Sequence, residues 1–474
     1  MNFFKYCKKI AAFFIIWLLS TIFIATNIFA DFKYFSLDSI IFHLYYGEGL
    51  FFYDPTLPWL IQTSIKGLII AIIVSIIINC CSNQYRKWIA LFLLVFVCIY
   101  SDKKLHLKEY ITNSIFSADF YSLHWNKPEA KNNTPNEKTN LVMLILESIE
   151  DVPINQHIKQ DINITNLQKL KERGVSFQNY QQTSGTWWSM GAVVGIWCGI
   201  PLSMPIEINF VYSNEYFLPN AICLPDILKD NGYNMYFTKG ATTKFAGMDI
   251  FLLNHGFNKE NIIDLGYWLN MKNKGNLVSW GMADGAVYES FKLKLQQLSK
   301  QEKPFFATMQ TINTHFPFED MDVDCKVENT NFADVLKCSD CQAGKFIDWF
   351  LEQDFASNTV LVVVGDHKFM DNRFGVILPT PQSERRIYNL FINSKAKPEG
   401  GTDRSFTQLD LFPSILESIG MEVKNRRAGL GVSIFAHKTH QTLLEKLGQK
   451  ELDKQLLARD PIYNSFLSTK QGSK

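Results

Sequence analysis

The chain has 474 residues, and its 47 Lys and Arg against 46 Asp and Glu leave a formal net charge of +1, so no general field draws it to nucleic acid. Hydrophobic residues make up 47% of it, with 38 Phe, and Gly and Pro stay near ordinary usage, which excludes a disordered or collagen-like chain. Such a length predicts two or three units at about 100–200 residues each.

The first unit is apolar. Lys5, Lys8 and Lys9 precede an uncharged run at residues 10–30, long enough to cross a hydrocarbon core about 30 Å thick. A cleavable signal peptide has a shorter apolar region, about 7–15 residues, and small residues at the cut, which Ile28-Phe29-Ala30 fit poorly. A second run occupies residues 58–81, where Lys66 can snorkel, and a third residues 88–100, between Arg86-Lys87 and Asp102-Lys103-Lys104. Three crossings, with the basic N-terminus and Arg86-Lys87 inside, place everything after Ser101 on the outer side. Residues 1–101 therefore read as a membrane anchor.

In residues 102–139, Leu107, Ile111, Ile115 and Phe116 recur at helical spacing among charges. This is either an interfacial helix on the bilayer or an amphipathic helix packed on the next domain. Residues 127–140, rich in Asn, Pro and Lys, read as a linker.

Residues 140–474 read as a soluble α/β domain. Apolar runs at 141–146, 233–237, 305–310 and 359–364 are of the buried-strand type, which in a parallel sheet is continuous because helices cover both faces. Ligands then bind beyond the carboxyl ends of the strands. Glu147 and Ser148 follow the first run, Thr311-Ile312-Asn313-Thr314-His315 the third, and Gly365-Asp366-His367 the fourth. Two carboxylates and an imidazole make a ligand set suited to zinc or manganese, with a fourth group or an open position for chemistry. The small-residue segment Ser184-Gly185-Thr186-Trp187-Trp188-Ser189-Met190-Gly191-Ala192 predicts a helix with Thr186 at its N-terminus, where free N–H groups attract a phosphate. A divalent cation makes such a hydroxyl nucleophilic; standing alone, Thr186 would read as a helix cap.

Glu147, Ser184-Gly185-Thr186 with Cys198-Gly199-Ile200-Pro201-Leu202, and Gly365-Asp366-His367 together resemble the alkaline-phosphatase-like sulfatase superfamily. Within it they resemble the membrane-anchored phosphoglycerol transferase I group, with lipoteichoic acid synthases as more distant relatives. Lys239-Gly240-Ala241, Phe245-Ala246-Gly247, Trp280-Gly281 with Asp284, the stretch around His315, and Gln408-Leu409-Asp410-Leu411-Phe412-Pro413 extend the likeness over residues 140–435. The resemblance implies a sulfatase-type α/β sandwich behind transmembrane helices, and one divalent metal (zinc or manganese, or magnesium) on Glu147, Thr186, Asp366 and His367. It implies Thr186 as nucleophile, His315 on the transferred phosphate and as proton donor, and Lys239, Trp280 and Asp284 lining the substrate site; His255 reads as structural. It implies a multi-pass protein of a bacterial inner membrane whose periplasmic domain moves phosphoglycerol from phosphatidylglycerol, through a phospho-threonine, to an envelope glycan. The partners are then a phospholipid donor, a glycan acceptor and the bilayer. A phosphoethanolamine transferase acting on lipopolysaccharide or another glycan, or a phosphatase, would use the same nucleophile, and a non-catalytic binding protein would have kept only the fold. Residues 186–190 lack the Cys-x-Pro-x-Arg context of formylglycine sulfatases, which argues against sulfate ester hydrolysis.

Five cysteines fall in the soluble part, and an oxidising compartment favours Cys198–Cys223 and a bridge from Cys325 to Cys338 or Cys341. Cys338-Ser339-Asp340-Cys341 read as a zinc or redox pair lacks a second pair at suitable spacing. Leu443, Leu444, Leu447, Leu452 and Leu456 predict one or two amphipathic helices packed on the domain.

Overall fold

The structure is a computed structural model that describes residues 2–31, 42, 56–80, 83–105, 107–108, 111–112, 119–132, 138–151, 164–203, 215–271, 277–315, 322, 325, 332–369 and 384–468. Three N-terminal helices form first: α1 (Asn2–Asp31), α2 (Thr56–Cys80) and α3 (Asn83–Leu105). Thr26, Thr63 and Ser101 turn inward between them. Thr26 and Ser101 share a hydrogen bond of 2.9 Å, and the Trp17 indole donates to the Ser64 carbonyl at 3.3 Å. Gly67 lets α1 and α2 close up, since a Cβ there would fall 2.4 Å from the Thr21 hydroxyl. The apolar side chains point outward instead, with Ile69, Ile73 and Ile76 of α2 and Phe92, Val95 and Ile99 of α3 exposed. Apolar surface turned out and polar groups turned in is the arrangement of helices solvated by lipid.

Of the three expected crossings the structure supports one: among the described residues, Ile61–Ile78 is the stretch long and apolar enough to span a membrane. Of the expected helix at 107–116, Leu107 and Ile111 are helical, and Ile115 and Phe116 lie outside the described residues. Nor is the stretch after Trp125 a free linker. Ala130–Asn132 pairs antiparallel with Met421–Val423, and the Trp125 ring packs on Phe466 at 5.4 Å.

The soluble part is built on six strands: β1 (Asn140–Leu146), β2 (Asn234–Lys239), β3 (Ile262–Ile263), β4 (Phe305–Gln310), β5 (Thr359–Gly365) and β6 (Asn389–Ile392). Their order is β6-β5-β1-β4-β2-β3, parallel throughout except for the antiparallel edge strand β6. The four expected strands are all present, within two residues of their predicted ends.

Side-chain alternation builds the layers. Leu141, Met143 and Ile145 of β1 join one core with α4 (Ser189–Cys198), α5 (Leu224–Asp230) and α8 (Gln408–Ser418). Val142, Leu144 and Leu146 join the opposite core with α6 (Asp284–Leu298) and α7 (Phe332–Leu351). Cys198–Cys223 ties the end of α4 to the start of α5, Cys325 pairs with Cys338, and Cys341 is a free, half-buried thiol. The tail helices Leu443–Leu447 and Gln449–Leu456 bury Leu443, Leu444, Leu452 and Leu456 against the first core, as their spacing predicts.

Candidate active site

Parallel register brings the chemistry together. Ile145 lies opposite Gln310, Leu146 opposite Gly365, and Lys239 opposite Gln310, so the residues after β1, β4 and β5 and the last residue of β2 emerge at one rim. Glu147, Asp366 and His367 meet there with their ligand atoms within 4.8 Å of one another, all buried. The turn after β1 is tight, with Ser148 at φ +54°, a conformation that costs a non-glycine residue about 1–3 kcal/mol and is held by its surroundings. The Ser148 amide donates to Asp366 Oδ1 at 2.8 Å, and its hydroxyl to Glu147 Oε1 at 2.8 Å.

These groups fit a cation. His367 Nδ1 donates to the Lys368 carbonyl at 3.0 Å, which leaves the Nε2 lone pair facing Glu147 Oε1 at 3.5 Å and Asp366 Oδ2 at 3.6 Å. Asp366 Oδ2 is buried with no hydrogen-bond partner. An unpartnered buried carboxylate oxygen beside a second carboxylate and an imidazole nitrogen fits a metal-ligand set. Burial alone would raise the Glu147 carboxyl, but His367, His315 and the hydroxyls of Ser148 and Ser189 outweigh it and bring it down to about 2. For Asp366, burial and the Glu147 charge prevail over His367 and two backbone amides, and its carboxyl rises to about 7. Burial opposes the His367 imidazolium, yet the two carboxylates pull its pKa up.

The expected fourth group, Thr186, is hydrogen-bonded elsewhere. Thr186 is fully buried, its Oγ lying 2.8 Å from the Thr183 carbonyl and 3.0 Å from Gln408 Oε1 and accepting from the Thr183 amide at 3.0 Å. Ser189 is the hydroxyl that stands beside Glu147 and His367. It is the first residue of α4, is only half-buried, and donates to Glu147 Oε2 at 2.9 Å with His367 Nε2 at 3.5 Å. The helix begins three residues later than the small-residue pattern predicts, with Trp188 and not Thr186 preceding its first residue.

The remaining expected residues divide. The His315 ring packs on Trp280 with centroids 4.1 Å apart, and it is close enough to Glu147 to lower that carboxyl. The Trp280 indole nitrogen is buried without a partner. Lys239 is buried at the end of β2, 3.2 Å from Gln310 Oε1; burial pushes its ammonium pKa down against the pull of Glu147 and Asp366. Asp284 braces a loop. Its two carboxylate oxygens accept from the Ile312 and Asn313 amides at 2.9 Å, fixing the loop that ends in His315. His255 Nδ1 donates to Asp226 Oδ2 at 2.7 Å, in keeping with a structural role.

The sulfatase family's sequence model matches residues 139–421. Phosphoglycerol transferase I of Xanthomonas campestris pv. campestris strain B100 is 28% identical over 313 residues, 64% of this chain and 43% of that protein. The protein of that name from Escherichia coli O6:K15:H31 strain 536 is 32% identical over 339 residues, 68% of this chain and 42% of its own length. The chain thus matches less than half the length of these relatives. Among solved structures, an alkaline phosphatase superfamily protein from Vibrio parahaemolyticus aligns with TM-score 0.52 and 24% identity, covering 70% of this chain and 78% of that one. The lipoteichoic acid synthase LtaP from Listeria monocytogenes aligns with TM-score 0.52 and 18% identity, covering 65% and 79%. The sheet and its covering helices are the fold shared with these proteins.

Proposed function

The chain belongs to the sulfatase family, and on that premise we propose that it is a membrane-anchored phosphotransferase that moves phosphoglycerol from phosphatidylglycerol to a hydroxyl of a periplasmic or cell-envelope glycan. The observation that carries this reading is the half-buried Ser189 hydroxyl at 2.9 Å from Glu147, at a helix N-terminus beside a buried ligand set. Glu147, Asp366 and His367 would hold a zinc or manganese ion, with magnesium a third candidate, and that charge would favour an ionised hydroxyl and steady the phosphoryl oxygens.

In the first half-reaction Ser189 Oγ attacks phosphorus, forming a phospho-serine diester as the bond to the diacylglycerol oxygen breaks. The free amides of the first turn of α4 receive the negative charge of the phosphate. His315, held by the Trp280 ring and by the loop that Asp284 braces, gives a proton to the leaving diacylglycerol oxygen. In the second half-reaction the glycan hydroxyl loses its proton to His315 and attacks phosphorus, which frees Ser189. Ser189 thus takes the role that sequence gives to Thr186, because a fully buried hydroxyl bonded to its own loop is not accessible to a lipid head group.

The outward-facing apolar side chains of α1–α3 support attachment to a bilayer, which keeps the site beside a donor that hardly leaves it. The test is mass spectrometry of the peptide spanning residues 183–197 after incubation with phosphatidylglycerol and phosphatidylethanolamine together. A phosphoglycerol adduct on Ser189 is the expected result. A phosphoethanolamine adduct would transfer the assignment to that head group, and an adduct on Thr186 would overturn the nucleophile.

A further inference from the structure

We propose that Asp453 is a positioning residue for the transfer reaction, which makes the C-terminal segment, outside the sulfatase match, a working part of the active site; the inference rests on Ser189 being the nucleophile. A side chain on the first turn of a helix is aimed by the loop that enters the helix. Here that loop, residues 181–188, is gripped from the tail. Asp453 Oδ1 accepts from the Thr183 hydroxyl at 2.7 Å and the Ser184 amide at 2.8 Å. Asp453 Oδ2 accepts at 2.8 Å from Gln449 Nε2, which also donates to the Gln182 carbonyl at 3.0 Å. Two side chains one turn apart on Gln449–Leu456 therefore hold three consecutive loop residues.

From Thr183 the hydrogen bonds run inward. Its amide and carbonyl both bond the Thr186 hydroxyl, which lies 3.0 Å from Gln408 Oε1, and Gln408 Nε2 donates to the Asp366 carbonyl at 2.9 Å. Thr183, Thr186, Gln408 and Asp366 are all fully buried, so no water competes for these bonds. One continuous network thus links the tail helix to the entry of the nucleophile's helix and to the backbone of a candidate metal ligand. Thr186 is its central relay, which accounts for a buried threonine that does no chemistry. The next tail helix, Pro461–Leu467, is fixed to the segment leaving the membrane: Asp460 Oδ2 accepts from the Tyr121 amide at 3.0 Å, and the Tyr121 ring packs on Tyr463. The tail therefore sets the nucleophile loop relative to the anchor as well as to the metal ligands.

The test compares the full chain in lipid nanodiscs with its Asp453→Ala, Asp453→Asn and Gln449→Ala variants. Asparagine keeps an oxygen for Thr183 and Ser184 and serves as the conservative rescue. Amide hydrogen exchange at Ser184 and Thr186 reads the loop directly, and kcat and KM for phosphatidylglycerol read the reaction. In Asp453→Ala we expect exchange at those amides to quicken by about 10-fold or more, and kcat to fall about 10- to 100-fold with KM unchanged, as a small misplacement of a reacting group does. Asp453→Asn should recover most of both. Unchanged exchange would overturn the proposal, and so would faster exchange with kcat retained. Should Asp453→Ala not fold by circular dichroism, Gln449→Ala carries the same two readouts. A wild-type chain that turns over no phosphatidylglycerol would sink the proposed function, while the exchange comparison would still decide whether the tail holds the loop.

Discussion

At the scale of single residues, the two hydroxyls at the entry to α4 separate by what surrounds them. Thr186 Oγ satisfies the Thr183 amide and Gln408, so Thr186→Val leaves buried polar partners unpaired and should destabilise the domain by about 1–3 kcal/mol, with activity reduced to match. Ser189 is half-buried and bonded to Glu147, so Ser189→Ala should keep the melting temperature near the parent's while kcat falls at least about 10³-fold. Melting curves and turnover measured on the same two preparations check both, and the reverse pattern would return the nucleophile to Thr186.

The ligand set carries a pH prediction with a definite sign. Asp366 is raised from 3.8 to about 7, so below pH 7 it holds a proton that a cation must displace. His367 is raised as well, so affinity for manganese should fall by about tenfold or more per pH unit below 7, with proton release on binding that calorimetry in two buffers reads directly. Asp366, raised, contributes stability that is full below about pH 4 and lost as pH rises through 7. Glu147, lowered from 4.5 to about 2, contributes stability that is present above 4.5 and lost only as pH falls through 2. The melting temperature without metal should accordingly decline between pH 5 and 8, and added manganese should reverse that trend.

At the scale of elements, the parallel strands were legible because burial on both faces writes them as unbroken apolar runs, and each run's end fixes which residue reaches the rim. That is how Glu147, Asp366 and His367 could be named from sequence. The start of α4 was not legible in the same way, since Gly185-Thr186 and Trp188-Ser189 are both plausible entries and only packing against α8 chooses between them. Gly195 makes that choice visible: a Cβ there would come within 2.9 Å of both Thr186 Cγ2 and Gln408 Cβ, so Gly195→Ala should wedge α4 from α8 and cost about 1–3 kcal/mol. The misread linker has a similar cause. Ala130–Asn132 is polar and short, and its partner, Met421–Val423, lies almost three hundred residues away, a pairing no local pattern reports. A chain beginning at residue 119 should therefore fold. One beginning at 140 forfeits that strand and the Tyr121 and Trp125 packing, and should lose at least about 3 kcal/mol in urea denaturation.

At the scale of the whole molecule, the question is which side of the bilayer the site faces. A net charge of +1 gives no global field to orient the chain, so the local lysines decide. With Lys5, Lys8 and Lys9 held on the cytoplasmic side, any odd number of crossings carries the soluble domain to the opposite side, whether α2 alone spans or all three helices do. The disulfides Cys198–Cys223 and Cys325–Cys338 agree, because an oxidising compartment is where such pairs persist. Protease added to intact spheroplasts should therefore remove everything beyond residue 119 and leave a small membrane-protected N-terminal fragment. A full-length chain that survives until the spheroplasts are lysed would place the site in the cytoplasm, away from any envelope glycan, and the acceptor class would have to be abandoned even if Ser189 still took a phosphoryl group.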